Sequence, residues 1–443
     1  MNPIAEPAPL AAVSISLQKR ILFTAVFVGV VLLLVEFFSF VGLWIVDGSR
    51  FSWSRMQDER DEVLATYGPA KNETSAARSE APHPYLGYVR NPDRQETVSE
   101  FGYPSDTPLF TRRADDRVIV AVVGGSVAFH FAKQGMPAVF ARLEDETTFA
   151  GKEFVLVNLA VGGYKQPQQL MTLNYLLALG FEFDVVVNLD GFNEVALHPA
   201  ENARKHVFPI YPSNWYARVD DIPDNRLRTL MGEAAVVEDR IASTATTHSG
   251  APWRYSVTAN LVWQFRHERL MQRHARAMQD FRFYEPPHSP YAVTGPRLVF
   301  GDDSDVLEHL VSVWKRSSIQ LDHLCRANGI RYYHFLQPNQ YFVDSKPLAR
   351  EELSHAYREN HPYRPGAEAG YPLLVRDGAE LVERGVRFVD LTAAFAEERG
   401  VIYSDDCCHY NEKGYRMLAT PIAETILQDR GVSARVRTTR PAR

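Results

Sequence analysis

The sequence predicts a doubly wound three-layer α/β domain. Short β-branched apolar runs recur along the chain, the stretches between them carry helical spacing, and the first run closes on Gly124-Gly125-Ser126, a tight turn of the kind that joins a buried parallel strand to a helix. That first run is Arg117–Val123 (RVIVAVV). Residues 154–159 (FVLVNL), 184–189 (DVVVNL), 331–336 (RYYHFL) and 386–391 (VRFVDL) read as further strands, giving a parallel sheet of about five.

Composition supports this class and removes others. A chain of 443 residues, 45% hydrophobic and 23% charged, suits one large globular domain with accessories; it does not suit disorder, collagen or a multispanning transporter. The net charge of -6, with both signs mixed, leaves no basic stripe to neutralise a phosphate backbone, so no nucleic-acid partner is expected. Three cysteines, of which Cys407 and Cys408 are adjacent, make no disulfide framework and no C-x-x-C pair. Cys325 is either a third buried thiol or a bridging partner for one of the vicinal pair. Neither a metal nor a cofactor is expected.

Ahead of the domain, residues 21–46 are almost continuously apolar, and at about 1.5 Å per residue they outrun a bilayer core of roughly 30 Å. The run exceeds a signal-peptide core of about 7 to 15 residues and no small-residue cleavage pattern closes it. It therefore reads as a retained transmembrane signal anchor behind an N-terminal tail, 1–20. Glu36 is the discordant residue: a carboxyl at that depth is protonated or faces a partner helix, which makes it a candidate self-association surface. Lys19 and Arg20 before the span are balanced by Arg50, Arg55 and Arg60 after it, so charge alone sets no orientation. The short tail and large following domain favour a single pass through the inner (cytoplasmic) membrane with a periplasmic catalytic domain, Trp44 and Trp53 lying at the outer interface.

Residues 47–116 are polar and proline-bearing and read as a stalk and irregular arm. The main domain spans 117–430. Within it, 197–298 is too long for an ordinary crossover and reads as a helical insertion, with helical spacing in 225–242 and 257–281. The second of these is rich in Trp263, Phe265, Arg266, His267, Arg273 and His274. It either covers the site or is a solvated amphipathic helix. The basic segment 431–443 reads as a disordered tail.

Four places concentrate chemistry. Ser126 follows the first strand and opens a helix, where its hydroxyl would face the crevice at the carboxyl ends of the strands and backbone N–H groups suit developing negative charge. By itself the motif is equally a phosphate-cradling loop or a plain turn. Asn158–Tyr164 and Asp190–Glu194 follow later strands; their glycines permit close backbone approach, and Asn193 stands as an amide donor at the sheet mouth, although each is also an ordinary turn. Finally, Asp405–Asn411 places Asp406 and His409 three apart, so that one loop presents a carboxylate and the imidazole it orients. Cys408 is a poor nucleophile because it would crowd its own base.

Taken in order, these blocks resemble the SGNH (GDSL-like) hydrolase family: Gly124-Gly125-Ser126, the Asn158–Gly163 stretch, Gly191-x-Asn193, and Asp406-x-x-His409. The resemblance covers roughly 117–428 apart from the insertion and implies a flavodoxin-like α/β/α sandwich. It implies Ser126 as nucleophile, His409 as base, Asp406 as its orienting carboxylate, and an oxyanion hole from the N–H groups of Ser126 and Gly163 with the Asn193 side chain, Gly162 being the neighbouring candidate. Two departures stand out: Gly125 where Asp is usual, and Glu194 after Asn193. The stretches Pro84–Tyr88 and Phe335–Gln340, with the N-terminal anchor, look like a bacterial membrane-attached branch associated with surface polysaccharides. The implied activity is an acyl-ester hydrolase acting on a glycan or lipid. Acyl transfer to a polysaccharide hydroxyl and a non-catalytic glycan-binding or assembly role are the alternatives.

Overall fold

Strand β3 (Arg117–Gly124) is buried along its length after Arg117, as its unbroken apolar run requires, and it lies second in a five-stranded parallel sheet. A computed structural model of the protein describes residues 16–47, 51–67, 79–93, 95, 97–147, 149–219, 224–287 and 289–429. The sheet order is β4-β3-β5-β6-β7, where β4 is Glu153–Asn158, β5 Val185–Asp190, β6 Arg331–Leu336 and β7 Phe388–Asp390. A separate antiparallel hairpin, β1 (Glu80–His83) with β2 (Gly87–Arg90), precedes it. All five expected strands are present. The last is shorter than its apolar run because it is an edge strand, pairing only through His334↔Phe388 to Leu336↔Asp390.

In chain order the helices are α1 (Leu17–Asp47), α2 (Trp53–Tyr67), α3 (Ser126–Gln134), α4 (Met136–Glu144), α5 (Gln168–Ala178), α6 (Phe192–Leu197) and α7 (Trp215–Arg218). They continue as α8 (Asn225–Ser249), α9 (Val257–Phe283), α10 (Tyr291–Thr294), α11 (Asp303–Ala327), α12 (Arg350–His355), α13 (Arg364–Glu383) and α14 (Glu412–Gln428). Helices α3, α4 and α14 pack together, and α5, α6, α11 and α13 form a second group, which completes the three-layer α/β/α sandwich.

The chain divides into two compact units: α1 and α2 with residues 231–278, and the described parts of 74–230 and 279–443. In the first, Val63 of α2, Val237, Ile241 and Ala245 of α8, and Leu270 and Met271 of α9 share a small apolar core. Of the aromatic and basic residues of α9, Trp263, His267 and His274 turn inward, while Phe265, Arg266 and Arg273 are exposed. Trp263 is fully buried under the Arg60 guanidinium, and His274 bonds Glu238 at 2.9 Å. Two sequence expectations change. The stretch expected as an irregular stalk contains α2 and the β1–β2 hairpin, whose residues lack long periodicity because their partners come from elsewhere in the chain. Glu36 is engaged within the chain, accepting from Ser256 Oγ at 2.5 Å and Val257 N at 2.6 Å. The tail 431–443, and residues 1–15 of the tail 1–20, lie outside the described residues.

Asp190, at the carboxyl end of β5, ties the second unit together. Its Oδ1 accepts from Trp314 Nε1 and lies against His334 Nε2, each at 2.8 Å, and its Oδ2 accepts from Asn188 at 2.9 Å. One buried carboxylate thus joins β5, β6 and α11, and its burial is tolerated because both of its oxygens are hydrogen-bonded. Trp314→Ala should leave a cavity and strip Asp190 Oδ1 of one of its two partners, costing about 3–5 kcal/mol and lowering the thermal unfolding midpoint measured by circular dichroism.

Candidate active site

The site assembles where β3 and β5 end. Ser126 is the first residue of α3, so its own N–H has no partner within the helix. Gly125 before it is selected by space: a Cβ there would collide with the side-chain nitrogen of Asn193 and sit 3.3 Å from the carbonyl oxygen of Tyr164. Its φ of -87° is open to any residue, so the requirement is the approach of Asn193 and not backbone strain. Asn193 Nδ2 donates one hydrogen to Tyr164 O at 2.8 Å, keeping the other available.

Gly163 sits one residue away from that carbonyl in a turn closed by Tyr164 N→Val161 O at 3.1 Å. Its φ is +75°, and the turn is pinned by Tyr88 Oη donating to Gly162 O at 2.7 Å. Glu194 braces both loops, accepting from Gly191 N at 2.9 Å and Gln166 N at 3.0 Å. Burial, followed by the nearby Asp190 carboxylate, pushes the Glu194 carboxyl upward.

The base arrives from the other end of the chain. Tyr403 and Tyr410 form a bridge that closes the loop before α14, and Ser404 N donates to His409 O at 3.0 Å. Inside it, Asp405 Oδ1 accepts the N–H groups of Cys407 and Cys408 at 3.0 Å and of His409 at 3.2 Å. The curl this imposes brings the second oxygen of Asp405 onto His409 Nδ1. The opposite ring nitrogen, Nε2, lies 2.7 Å from Ser126 Oγ. Burial alone would raise the Asp405 carboxyl; the His409 ring and the gathered N–H groups outweigh it and hold the group well below the usual carboxylate range.

Asp406, expected to orient His409, does not. Its carboxylate faces outward to Arg358 Nε at 2.6 Å and to His361 Nε2 at 3.7 Å. Consecutive loop residues project to different sides, and the inward side belongs to Asp405. Nothing in the spacing separates the two, because either Asp side chain can take the N–H two or three residues on. His130 of α3 was also unread. Its ring stands edge-on to His409, 5.6 Å between centroids, and burial followed by the His409 charge keeps it below the ordinary histidine range.

All three cysteines are free: Cys325 is buried on α11 and bridges to neither of the others. Burial, then contact with Cys407, drives the Cys408 thiol up, so it stays neutral. Donor atoms of Cys407, Cys408 and His409 lie within 4.8 Å of one another, but both ring nitrogens of His409 are already engaged, and an ion there would have to dismantle the arrangement. Two cavities of about 400 and 470 Å³ are lined by residues that include neither Ser126 nor His409.

The arrangement is a hydroxyl, an imidazole and a carboxylate in one hydrogen-bonded line, beside a helix N-terminus and a side-chain amide. Such a line can deprotonate the hydroxyl and stabilise an oxyanion. No family model and no curated protein matches this chain. Among solved structures, it is similar to a lipase/acylhydrolase from Enterococcus faecalis (12% identity, covering 70% of this chain and 95% of that one, TM-score 0.31). It is similar also to a GDSL-like lipase from Bacteroides thetaiotaomicron VPI-5482 (11% identity, 72% and 92% covered, TM-score 0.32). At these identities and scores neither likeness bears on function, and the site speaks through its own geometry.

Two outcomes follow. Asp405→Asn should reduce turnover by about 10⁴-fold, whereas Asp406→Asn should leave most of it. Because the folded-state value of Asp405 is depressed, its stabilising contribution is present above the unfolded value of about 3.9 and is lost as pH falls through the lower folded value. The gap in unfolding midpoint between wild type and Asp405→Asn should therefore be open at pH 7 and close in strong acid. Separately, Gly125→Ala should displace the Asn193 amide and match Asn193→Ala in losing about 100-fold to 1000-fold in turnover, with the double variant no worse than Asn193→Ala.

Proposed function

We propose that the chain is a serine-dependent acyl-ester hydrolase of the SGNH type, held at the inner membrane by α1 with its catalytic domain on the periplasmic side. One observation carries this reading: His409 reaches Ser126 Oγ with one ring nitrogen and Asp405 with the other. In the first step Ser126 Oγ attacks the ester carbonyl carbon while His409 Nε2 takes the hydroxyl proton. The carbonyl oxygen becomes an oxyanion facing the Ser126 and Gly163 N–H groups and the free Asn193 amide hydrogen. Collapse of this intermediate breaks the C–O bond to the alcohol, which leaves with the proton from His409, and an acyl-serine remains. Water, deprotonated by the same nitrogen, then releases the acid and regenerates Ser126. No metal or cofactor takes part.

Both Ser126 and His409 are only partly buried, which suits an ester carried on a bulky molecule. The substrate class proposed is an O-acyl group on a glycan or lipid. Transfer of the acyl group to a polysaccharide hydroxyl proceeds through the same acyl-serine, and a non-catalytic scaffold would form none. With p-nitrophenyl acetate as reporter, Ser126→Ala should abolish turnover and labelling by a fluorophosphonate probe; full activity in that variant would sink the reading. Release of free acid unchanged by added glycan acceptor is the expected product pattern, and acylated acceptor would reassign the protein to transfer.

A further inference from the structure

We propose that the tip of the α8–α9 hairpin, Gly250–Val257, enters the lipid bilayer beside α1, giving the insertion a lipid surface as its partner. This rests on α1 being a membrane-spanning helix. Its stretch Leu17–Ile45 is long and apolar enough to cross, and Lys19 and Arg20 mark one edge of the hydrocarbon. A hydrocarbon core of roughly 30 Å takes about 20 helical residues, so the far edge falls near residue 41 and Glu36 lies about 8 Å inside it.

Glu36 is where α9 begins. Its carboxylate accepts from Ser256 Oγ at 2.5 Å, Val257 N at 2.6 Å and Thr258 N at 3.2 Å, so it caps the N-terminus of α9 and its charge faces the positive end of that helix dipole. The contacts then advance together along both helices. Ser39 Oγ meets Thr258 Oγ1 at 2.9 Å, and a Cβ on Gly42 would lie 3.5 Å from Leu261. Helix α9 therefore runs in the same direction as α1, starting at the depth of Glu36 and climbing out of the membrane. The turn leading into it, where α8 ends, must lie at that depth or deeper.

The side chains there suit the assignment. Trp253 and Tyr255 are 54% and 60% exposed, large rings left uncovered among the described residues. Trp53 donates to Tyr255 O at 3.2 Å and is itself half exposed, as is Trp44. Trp53, Trp253 and Tyr255, each with a polar edge, thus gather around the start of α9, while Trp44 stands about 12 Å further along α1 toward the headgroups. Arg254 lays its guanidinium over Tyr255, and its long stem can carry the charge to the headgroups. On α1 the face opposite α9 stays apolar over the same stretch, with Phe37, Phe38, Trp44 and Ile45 exposed for lipid to cover.

The test uses the full-length protein in phosphatidylcholine nanodiscs prepared with or without brominated acyl chains, which quench tryptophan by contact. Wild type should be quenched, and W253F should lose roughly a third of the quenched emission, since Trp44, Trp53 and Trp253 are the half-exposed tryptophans described in this unit. V236W, placed on the exposed part of α8 well above the tip, should add only unquenched emission. Equal quenched amplitude in wild type and W253F would overturn the hairpin insertion while leaving the anchor standing. Absence of quenching in wild type would overturn both. Quenched emission from V236W would mean that the hairpin lies flat on the bilayer, which also overturns entry by its tip.

Discussion

The second unit depends on the Asp405 carboxylate performing two tasks at once. One oxygen gathers three consecutive N–H groups and so sets the curl of the loop before α14; the other holds the His409 ring. Because the same group makes the loop and holds the imidazole, ring position and loop shape are coupled. The loop is closed below by the Tyr403–Tyr410 bridge and by Asn411, whose side chain caps α14 through Gly414 N at 3.0 Å. His409 is thereby delivered to Ser126, 283 positions earlier in the chain, with no substrate needed to place it. Preorganisation of this kind spares the reaction the cost of reorienting dipoles.

Across the crevice the same logic recurs with different residues. Asp190 and Glu194 are buried carboxylates whose oxygens are spent on backbone and side-chain donors, and between them they brace the turn that presents Asn193. Glu194 also takes Gln166 N from the preceding loop, so the Gly163 turn and the Asn193 turn move as one. The space into which Asn193 reaches exists because position 125 carries no side chain. A larger residue there would compete with the amide for the same volume.

Residues 231–278 of the insertion belong to one unit with α1 and α2. Of its aromatic and basic residues, which from the sequence suit either a cover for the site or a wet surface, Trp263 packs under Arg60 of α2 and His274 bonds Glu238, while Phe265, Arg266 and Arg273 stay exposed. The charge at Glu36 is neutralised locally by the start of α9, which explains how an acidic residue sits within an otherwise apolar helix.

Local pattern made the fold legible: β5 reads VVVNLD and is buried at every position, so an unbroken apolar run signals a central parallel strand whatever its partners are. The serine turn and the imidazole were legible for a similar reason, since glycine placement and residue type constrain what a short loop can present. α2 and the β1–β2 hairpin were not, being short and stabilised by partners distant in sequence. The choice between Asp405 and Asp406 was also beyond the sequence. Two adjacent carboxylates are chemically equivalent along the chain; only the folded loop distinguishes them, by aiming its N–H groups at one and leaving the other to Arg358 and His361. The sequence by itself determined the sheet, the long apolar N-terminal helix and which residue types could do chemistry, because these follow from periodicity and composition. Tertiary structure alone decided which carboxylate faces the imidazole and where the insertion packs, because both depend on directions in space that one-dimensional spacing does not encode.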